Sequence, residues 1–366
     1  MLRNPWKEKA VHKILSFCEH GMTERLVSQF LDEFKKEENN VLLDPFVGSG
    51  TVLVEALKTC ELCIGIDTNP WALIVTKSKT ERPHIDEKDF IELFENIKEF
   101  EPYIPSERLF KYHTESQLIM LGKIRALIEE LNDKKLALTV FASIAEKFSK
   151  IKKSPAPKFR KKIRNQSMDI PEEFKRKFLE SLNEVKKYNE TTVGETSLIL
   201  ADSSRWLPKS FDGILTSPPF ANNIDYVRHT QLHLLWAGLA NDSKELGKLR
   251  SLQIPACEAS ARSWKEKTEK NWIITRVSKI NSKRKYSNFL LQYFHSMEKH
   301  FELVAEALTW EAWYTIGDSY FAGEYIPTHE FLRRLAEEVG LEAETKQIGY
   351  RAGGRRIYLL KLKPKN

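Results

Sequence analysis

The chain has 366 residues, 41% of them hydrophobic, which is enough for one large domain with insertions or for two domains. Its net charge of +7 and pI near 9.0 favour an acidic partner, nucleic acid above all. Four cysteines are too few for a disulfide framework, the start MLRNPWKEKAVHK lacks the apolar segment of a signal peptide, and no run of about 18 apolar residues exists to span a membrane, so the expectation is a soluble, cytoplasmic protein.

Leu26, Val27, Phe30, Leu31 and Phe34 recur at helical spacing, and Thr23 is placed to cap that helix. Val41-Leu42-Leu43 then reads as a short buried strand, and Val47-Gly48-Ser49-Gly50 as a tight glycine turn. A helix follows from Thr51, and a second strand, Cys63–Ile66, ends in Asp67. Strand, glycine turn, helix, strand and acid open a doubly wound α/β fold that binds a nucleoside-containing ligand. The glycines let the backbone approach a ligand closely, and the helix start offers unpaired N–H groups. Asp67 can accept from ribose hydroxyls, or it can simply cap the helix that begins at Asn69 or Pro70. FVGSGT lacks the third glycine of a dinucleotide loop and the Gly-Lys-Ser/Thr of a P-loop, so NAD and ATP are poorly supported.

Residues 86–195 change character. Asp86 to Leu131 and Lys134 to Ile151 read as long amphipathic helices, and 147–187 holds fourteen Lys and Arg against five Asp and Glu. That basic stretch is either a solvated linker or a helical insert whose edge meets phosphates. The sheet resumes at Ser197–Leu200 and ends at Asp202. The next strand, Phe211–Thr216, stops at Ser217-Pro218-Pro219-Phe220. Two prolines cannot continue a ladder, so the strand ends in a rigid turn. Taken alone, that means only a stiff loop.

A helix then carries Leu232, Leu235, Trp236 and Leu239 on one face, with His229 and His233 four apart on what reads as a polar face. No nearby carboxylate completes a metal set, and the lone pair Cys60 and Cys63 has no second pair. No metal is expected. Residues 241–285 are polar and basic, a second candidate for nucleic-acid contact. A helix from Tyr286, the strand AWYTIGDSY, a helix stopped by Gly340 and a last edge strand, RRIYLLKLK, complete the chain. The glycine turn, the acids after strands two and three and the proline turn after strand four all fall at carboxyl ends of strands. In an open α/β sheet that edge is where ligands bind.

DPFVGSGT, GIDTNPWA and TSPPF resemble the cofactor, ribose and catalytic motifs of the S-adenosylmethionine-dependent DNA amino-methyltransferases. The resemblance covers roughly residues 20–80 and 197–240, extends loosely through 317–328, and leaves out the helical insert. It implies a Rossmann-like, doubly wound class I methyltransferase sheet, with core parts at 1–85, 196–240 and 286–366, a helical basic insert at 86–195 and a polar insert, for target recognition, at 241–285.

The implied cofactor is S-adenosylmethionine. Asp44, Phe46, Gly48, Gly50 and Thr51 match the loop that holds its methionine part, Asp67 the ribose acid with Asn69 beside it, and Asp202 with Ser203 the adenine site. The segment His20–Thr23 matches the upstream methionine-binding motif loosely. Ser217, Pro218, Pro219 and Phe220 match the catalytic turn, and serine in first place resembles the cytosine-N4 group rather than the adenine-N6 group. The implied partner is DNA, with a cognate restriction endonuclease. An adenine-N6 enzyme, an RNA base-amine methyltransferase and an inactive nucleic-acid-binding protein are the alternatives. Cytosine-C5 chemistry would need a nucleophilic cysteine, and Cys257 has no Pro-Cys setting.

Overall fold

A computed structural model describes residues 10–14, 22, 24–37, 40–152, 157–159, 169–280, 284–350 and 354–365. Seven strands form the central sheet: β1 (Val41–Asp44), β2 (Leu62–Asp67), β3 (Glu195–Leu200), β4 (Phe211–Thr216), β5 (Leu308–Gly317), β6 (Leu341–Tyr350) and β7 (Arg356–Pro364). Their order is β6-β7-β5-β4-β1-β2-β3. Every pair from β5 to β3 is parallel, and β7 runs antiparallel to both neighbours. The chain winds outward from β1 to β3, returns to the middle at β4 and winds the other way. This is the doubly wound, Rossmann-like sheet that the sequence implied, with its switch point between β1 and β4.

Alternation along the strands explains the layers, because successive side chains point to opposite faces. Leu42, Trp313 and Leu359 enter one apolar cluster, while their neighbours Leu43, Ala312, Tyr314 and Leu360 enter the other. The first face is covered by α1 (Glu24–Lys36), α2 (Thr51–Ala56), α3 (Pro70–Thr80) and α8 (Tyr226–Trp236). The helices of the insert join the same cluster: α4 (Glu87–Glu95), α5 (Glu115–Glu129), α6 (Lys135–Lys147) and α7 (Ile170–Asn189). The second face packs on α10 (Asn271–Ser278), α11 (Arg284–Ala307) and α12 (Thr328–Glu338), with α9 (Ser243–Ser251) beside α8.

Two readings change. Asp86–Leu131 is not one helix. Asp86 caps α4, Pro102 and Pro105 interrupt the path, and Thr114 starts α5 with a capping box to Gln117. Nor is Arg356–Pro364 an edge strand, since it lies between β5 and β6. The true edge, LEAETKQIGY, has too few apolar residues to stand out, and its exposed Glu342, Glu344 and Lys346 are what an edge tolerates. Thr23 and residues 153–156 and 160–168 of the basic stretch 147–187 lie outside the described residues. Among the described residues no helix is long and apolar enough to cross a membrane.

The five apolar residues expected on α1 are all buried. Phe30 stacks on Phe34 with centroids 5.6 Å apart and meets the edge of Trp313, a β5 residue, at 5.3 Å. Phe30→Ala should therefore destabilise the protein by about 3–5 kcal/mol, the usual result of emptying a packed phenylalanine site, read as a lower urea midpoint.

Candidate active site

β1 ends at Asp44 and the chain turns at once through Pro45-Phe46-Val47-Gly48-Ser49-Gly50 into α2. Gly48 and Gly50 have φ of 52° and 77°, the left-handed region that favours glycine. A Cβ on Gly50 would sit 2.8 Å from the Thr76 side chain, so α3 packs directly against the turn. Lys79 reaches from α3 and, although 1% exposed, donates to the Ser49 carbonyl at 2.9 Å. Burial lowers the pKa of its ammonium to about 7.

Asp67, at the end of β2, closes the turn from the other side. Its Oδ2 accepts from Gly48 N at 3.0 Å and its Oδ1 from Asn69 N at 2.8 Å. Asn69 caps α3 by accepting from Trp71 N, and its amide donates to Thr230 Oγ1 on α8 at 3.0 Å. Both ends of the Asn69 side chain are thus engaged within the protein. Asp202, after β3, accepts from the backbone and hydroxyl of Ser204. Ser203 is buried, and its Oγ has no hydrogen-bond partner among the described residues. Its carbonyl accepts from Nδ1 of His300 at 3.0 Å, which leaves Nε2 to accept from the Tyr314 hydroxyl at 2.8 Å. Burial keeps His300 neutral, with a pKa lowered to about 4.

β4 ends at Thr216 and the proline turn follows. Several contacts hold it. Phe220 N donates to Tyr226 Oη at 3.4 Å, Ser319 Oγ donates to the Ala221 carbonyl, and Asn223, at φ 63°, donates through its N–H to Ala256 O at 3.0 Å. The side chain of Asn223 accepts from Glu258 N as well, so the segment after α9 braces the turn.

These loops meet around one cavity of about 180 Å³. Asp44, Phe46, Gly48, Thr51, Asp67, Asn69, Asp202 and Ser203 line it, and so do Ser217, Pro218, Pro219 and Phe220. Gly50 does not. It shapes the turn from behind. Of the segment His20–Thr23 only Met22 is described, and it lines the cavity. Sequence reasoning missed Tyr226, His229 and Thr230, which also line it. Their i, i+3, i+4 spacing directly after the proline turn was the available signal. Gln253 and Ile254 had none.

His229 and His233 part company. His233 is buried rather than on a polar face, with Nε2 2.8 Å from Glu146 Oε2. No cluster of three metal-ligating side chains occurs among the described residues. Cys257 is buried against Ser260, away from the cavity lining.

The cavity is electrostatically distinctive. Burial raises the Asp44 pKa to about 7 and the Asp67 pKa to about 6, against the hydrogen bonds that Thr216 and Phe46 give the former and Asn69 and Gly48 the latter. Two desolvated acids in one cleft favour a cationic ligand. The left-handed turn, the two acids and the unpartnered Ser203 hydroxyl fit S-adenosylmethionine, which carries a sulfonium and an ammonium beside a nucleoside.

The fold and cleft define a Rossmann-like α/β protein with a cavity at its switch point, where open α/β sheets bind ligands. Sequence comparison narrows the kinship. Residues 21–195, just under half of the chain, match the family model of D12 class N6 adenine-specific DNA methyltransferases. Over 301 residues the chain is 25% identical to the type II methyltransferase M.BsoBI of Geobacillus stearothermophilus, covering 70% of this chain and 58% of that protein. It is 24% identical over 306 residues to the type II methyltransferase M.MvaI of Kocuria varians, covering 74% and 65%. The chain thus spans about three fifths of the length of these relatives. The rRNA methyltransferase aviRa of Streptomyces viridochromogenes superposes over 97% of this chain and 90% of its own, at 11% identity and a TM-score of 0.34, a likeness too distant to carry an argument.

A carboxyl whose folded pKa is raised stabilises the fold fully below its unfolded pKa, and that contribution is lost as pH rises through the folded value. Asp44 and Asp67 therefore make the ligand-free protein less stable from about pH 4 to 7. His300, lowered to about 4, acts in the opposite direction up to about pH 6.5, so a difference is the clean measurement. Asp44→Asn should be more stable than wild type, by a margin that grows from pH 5 to 8 and reaches about 1–3 kcal/mol. Denaturant midpoints across that range check it.

Proposed function

We propose that this protein is a DNA methyltransferase that transfers a methyl group from S-adenosylmethionine to an exocyclic base amine, the N4 amine of cytosine. The observation that supports this most is the meeting of the DPFVGSGT turn and the SPPF turn in one cavity. S-adenosylmethionine supplies, when bound, an electrophilic methyl group. Asp44 and the glycine turn would hold its methionine part, Asp67 its ribose, and Asp202 with Ser203 its adenine.

The acceptor half must overcome a weak nucleophile, because the lone pair of an aromatic amine is delocalised into the ring. Ser217 Oγ and the Pro218 carbonyl accept the two amine hydrogens, which favours a pyramidal nitrogen with a localised lone pair. Pro219 keeps that carbonyl in a fixed pose, and positioning supplies much of the rate. Phe220 offers a stacking face to a base that has left the duplex, an excursion costing a few kcal/mol. The net charge of +7 suits a polyanion. On this reading the protein works in the cytoplasm beside a cognate restriction endonuclease.

Adenine N6 is the second reading, favoured by the family model. That match ends at residue 195, before the acceptor turn begins. The choice of base therefore rests on Ser217. Ser217→Ala should cut methyl transfer by at least about a hundredfold, the scale of losing one aimed hydrogen-bonding group, while S-adenosylmethionine binding in calorimetry stays within about twofold. Turnover equal to wild type would remove Ser217 from the mechanism.

A further inference from the structure

β1 and β4 lie side by side, with Leu42 paired to Gly213 and Leu43 to Ile214. Their last residues are Asp44, which opens the glycine turn, and Thr216, which precedes the proline turn. Thr216 is fully buried, and its hydroxyl donates to Asp44 Oδ1 at 2.6 Å. Phe46 N donates to the same oxygen at 3.1 Å, and Oδ2 makes no hydrogen bond among the described residues. We propose that Thr216 is a positioning residue that joins the cofactor half of the cleft to the acceptor half, its hydroxyl holding Asp44 as a carboxylate aimed at a cationic group of the bound ligand.

The proposal rests on the methyl-transfer reading, which makes S-adenosylmethionine that ligand. Its logic is that of a buried charge, which persists only where hydrogen bonds compensate for lost water. Burial pushes Asp44 toward protonation, and the Thr216 hydrogen bond is the largest influence in the other direction. A hydroxyl on β4 thus decides whether a carboxylate on β1 is charged when ligand arrives, and the same bond fixes where the proline turn begins. The titratable groups that act on Asp44 are Asp67 from β2 and Tyr314 from β5, and Asp202 after β3 and Tyr226 and His229 from α8 line the same cavity. All of them are present in every Thr216 variant.

Thr216→Val and Thr216→Ala remove the hydroxyl, and Thr216→Ser keeps it. S-adenosylmethionine affinity of the full chain would be measured by calorimetry from pH 5.5 to 8.5, with thermal unfolding as the check on folding. Affinity is lost as pH falls through the pKa of Asp44. In the valine and alanine variants that acid limb should move up by about one pH unit, with affinity at pH 7 falling about fivefold. The serine variant should keep both within about twofold. A purely structural role would weaken binding equally at every pH, and a limb that stays at the wild-type position in both hydroxyl-free variants overturns the proposal. Should both unfold, Asp44→Asn decides, because it keeps an acceptor for Thr216 and removes the charge. The part of its acid limb near pH 7 should disappear, leaving the fall near pH 6 that belongs to Asp67, and a limb that persists near pH 7 overturns the proposal. Wild type that binds no S-adenosylmethionine at any pH would overturn the methyl-transfer reading itself, a separate result.

Discussion

Two carboxylates buried in one cleft, Asp44 and Asp67, set what this structure can hold. Each sits at the end of a parallel strand and draws on N–H groups of the turns that follow. Asp67 takes Gly48 N and Asn69 N, and Asp44 takes Phe46 N and the Thr216 hydroxyl. Those bonds do not fully offset burial, since both pKa values remain raised. A cationic ligand would supply what is missing. The same bonds shape the turns, so the electrostatics and the geometry of the cleft are one arrangement.

The remainder of the fold keeps that arrangement rigid. α3 presses Thr76 and Lys79 against the glycine turn, and Asn69 fastens the start of α3 to α8. Tyr226, the first residue of α8, and Ser319, just past β5, brace the proline turn. The helices α4 to α7 share an apolar cluster with α1, α2, α3 and α8, so they buttress the face behind the glycine turn. A site built from loops is positioned here by packed elements on every side.

The parts of this that could be read from the sequence were those with local signals. Short apolar runs and the turns and acids that end them located β1, β2 and β4 within a residue or two, because a strand buried on both faces leaves a sharp trace. The edge strand Leu341–Tyr350 left almost none, since half its side chains face water. The insert misled through composition: its apolar spacing is helical, but prolines and caps cut the path into shorter pieces. Site residues with a motif were placed in order around the cleft, whereas Gln253 and Ile254 reach it only through tertiary packing. Asn69 caps α3 as well as lining the cleft, and Gly50 shapes the turn from behind.

On the proposed methyl-transfer reading, the acceptor half turns on one side chain. Ser217 beside the Pro218 carbonyl is the feature that favours cytosine, and the family match does not extend to it. Mass spectrometry of nucleosides from DNA and from RNA, each incubated with the protein and S-adenosylmethionine, tests the account most directly. The account predicts 4-methylcytosine, formed in DNA and only when the methyl donor is present. A product of 6-methyladenine would contradict the choice of base, and methylation confined to RNA, or none at all, would contradict the central claim.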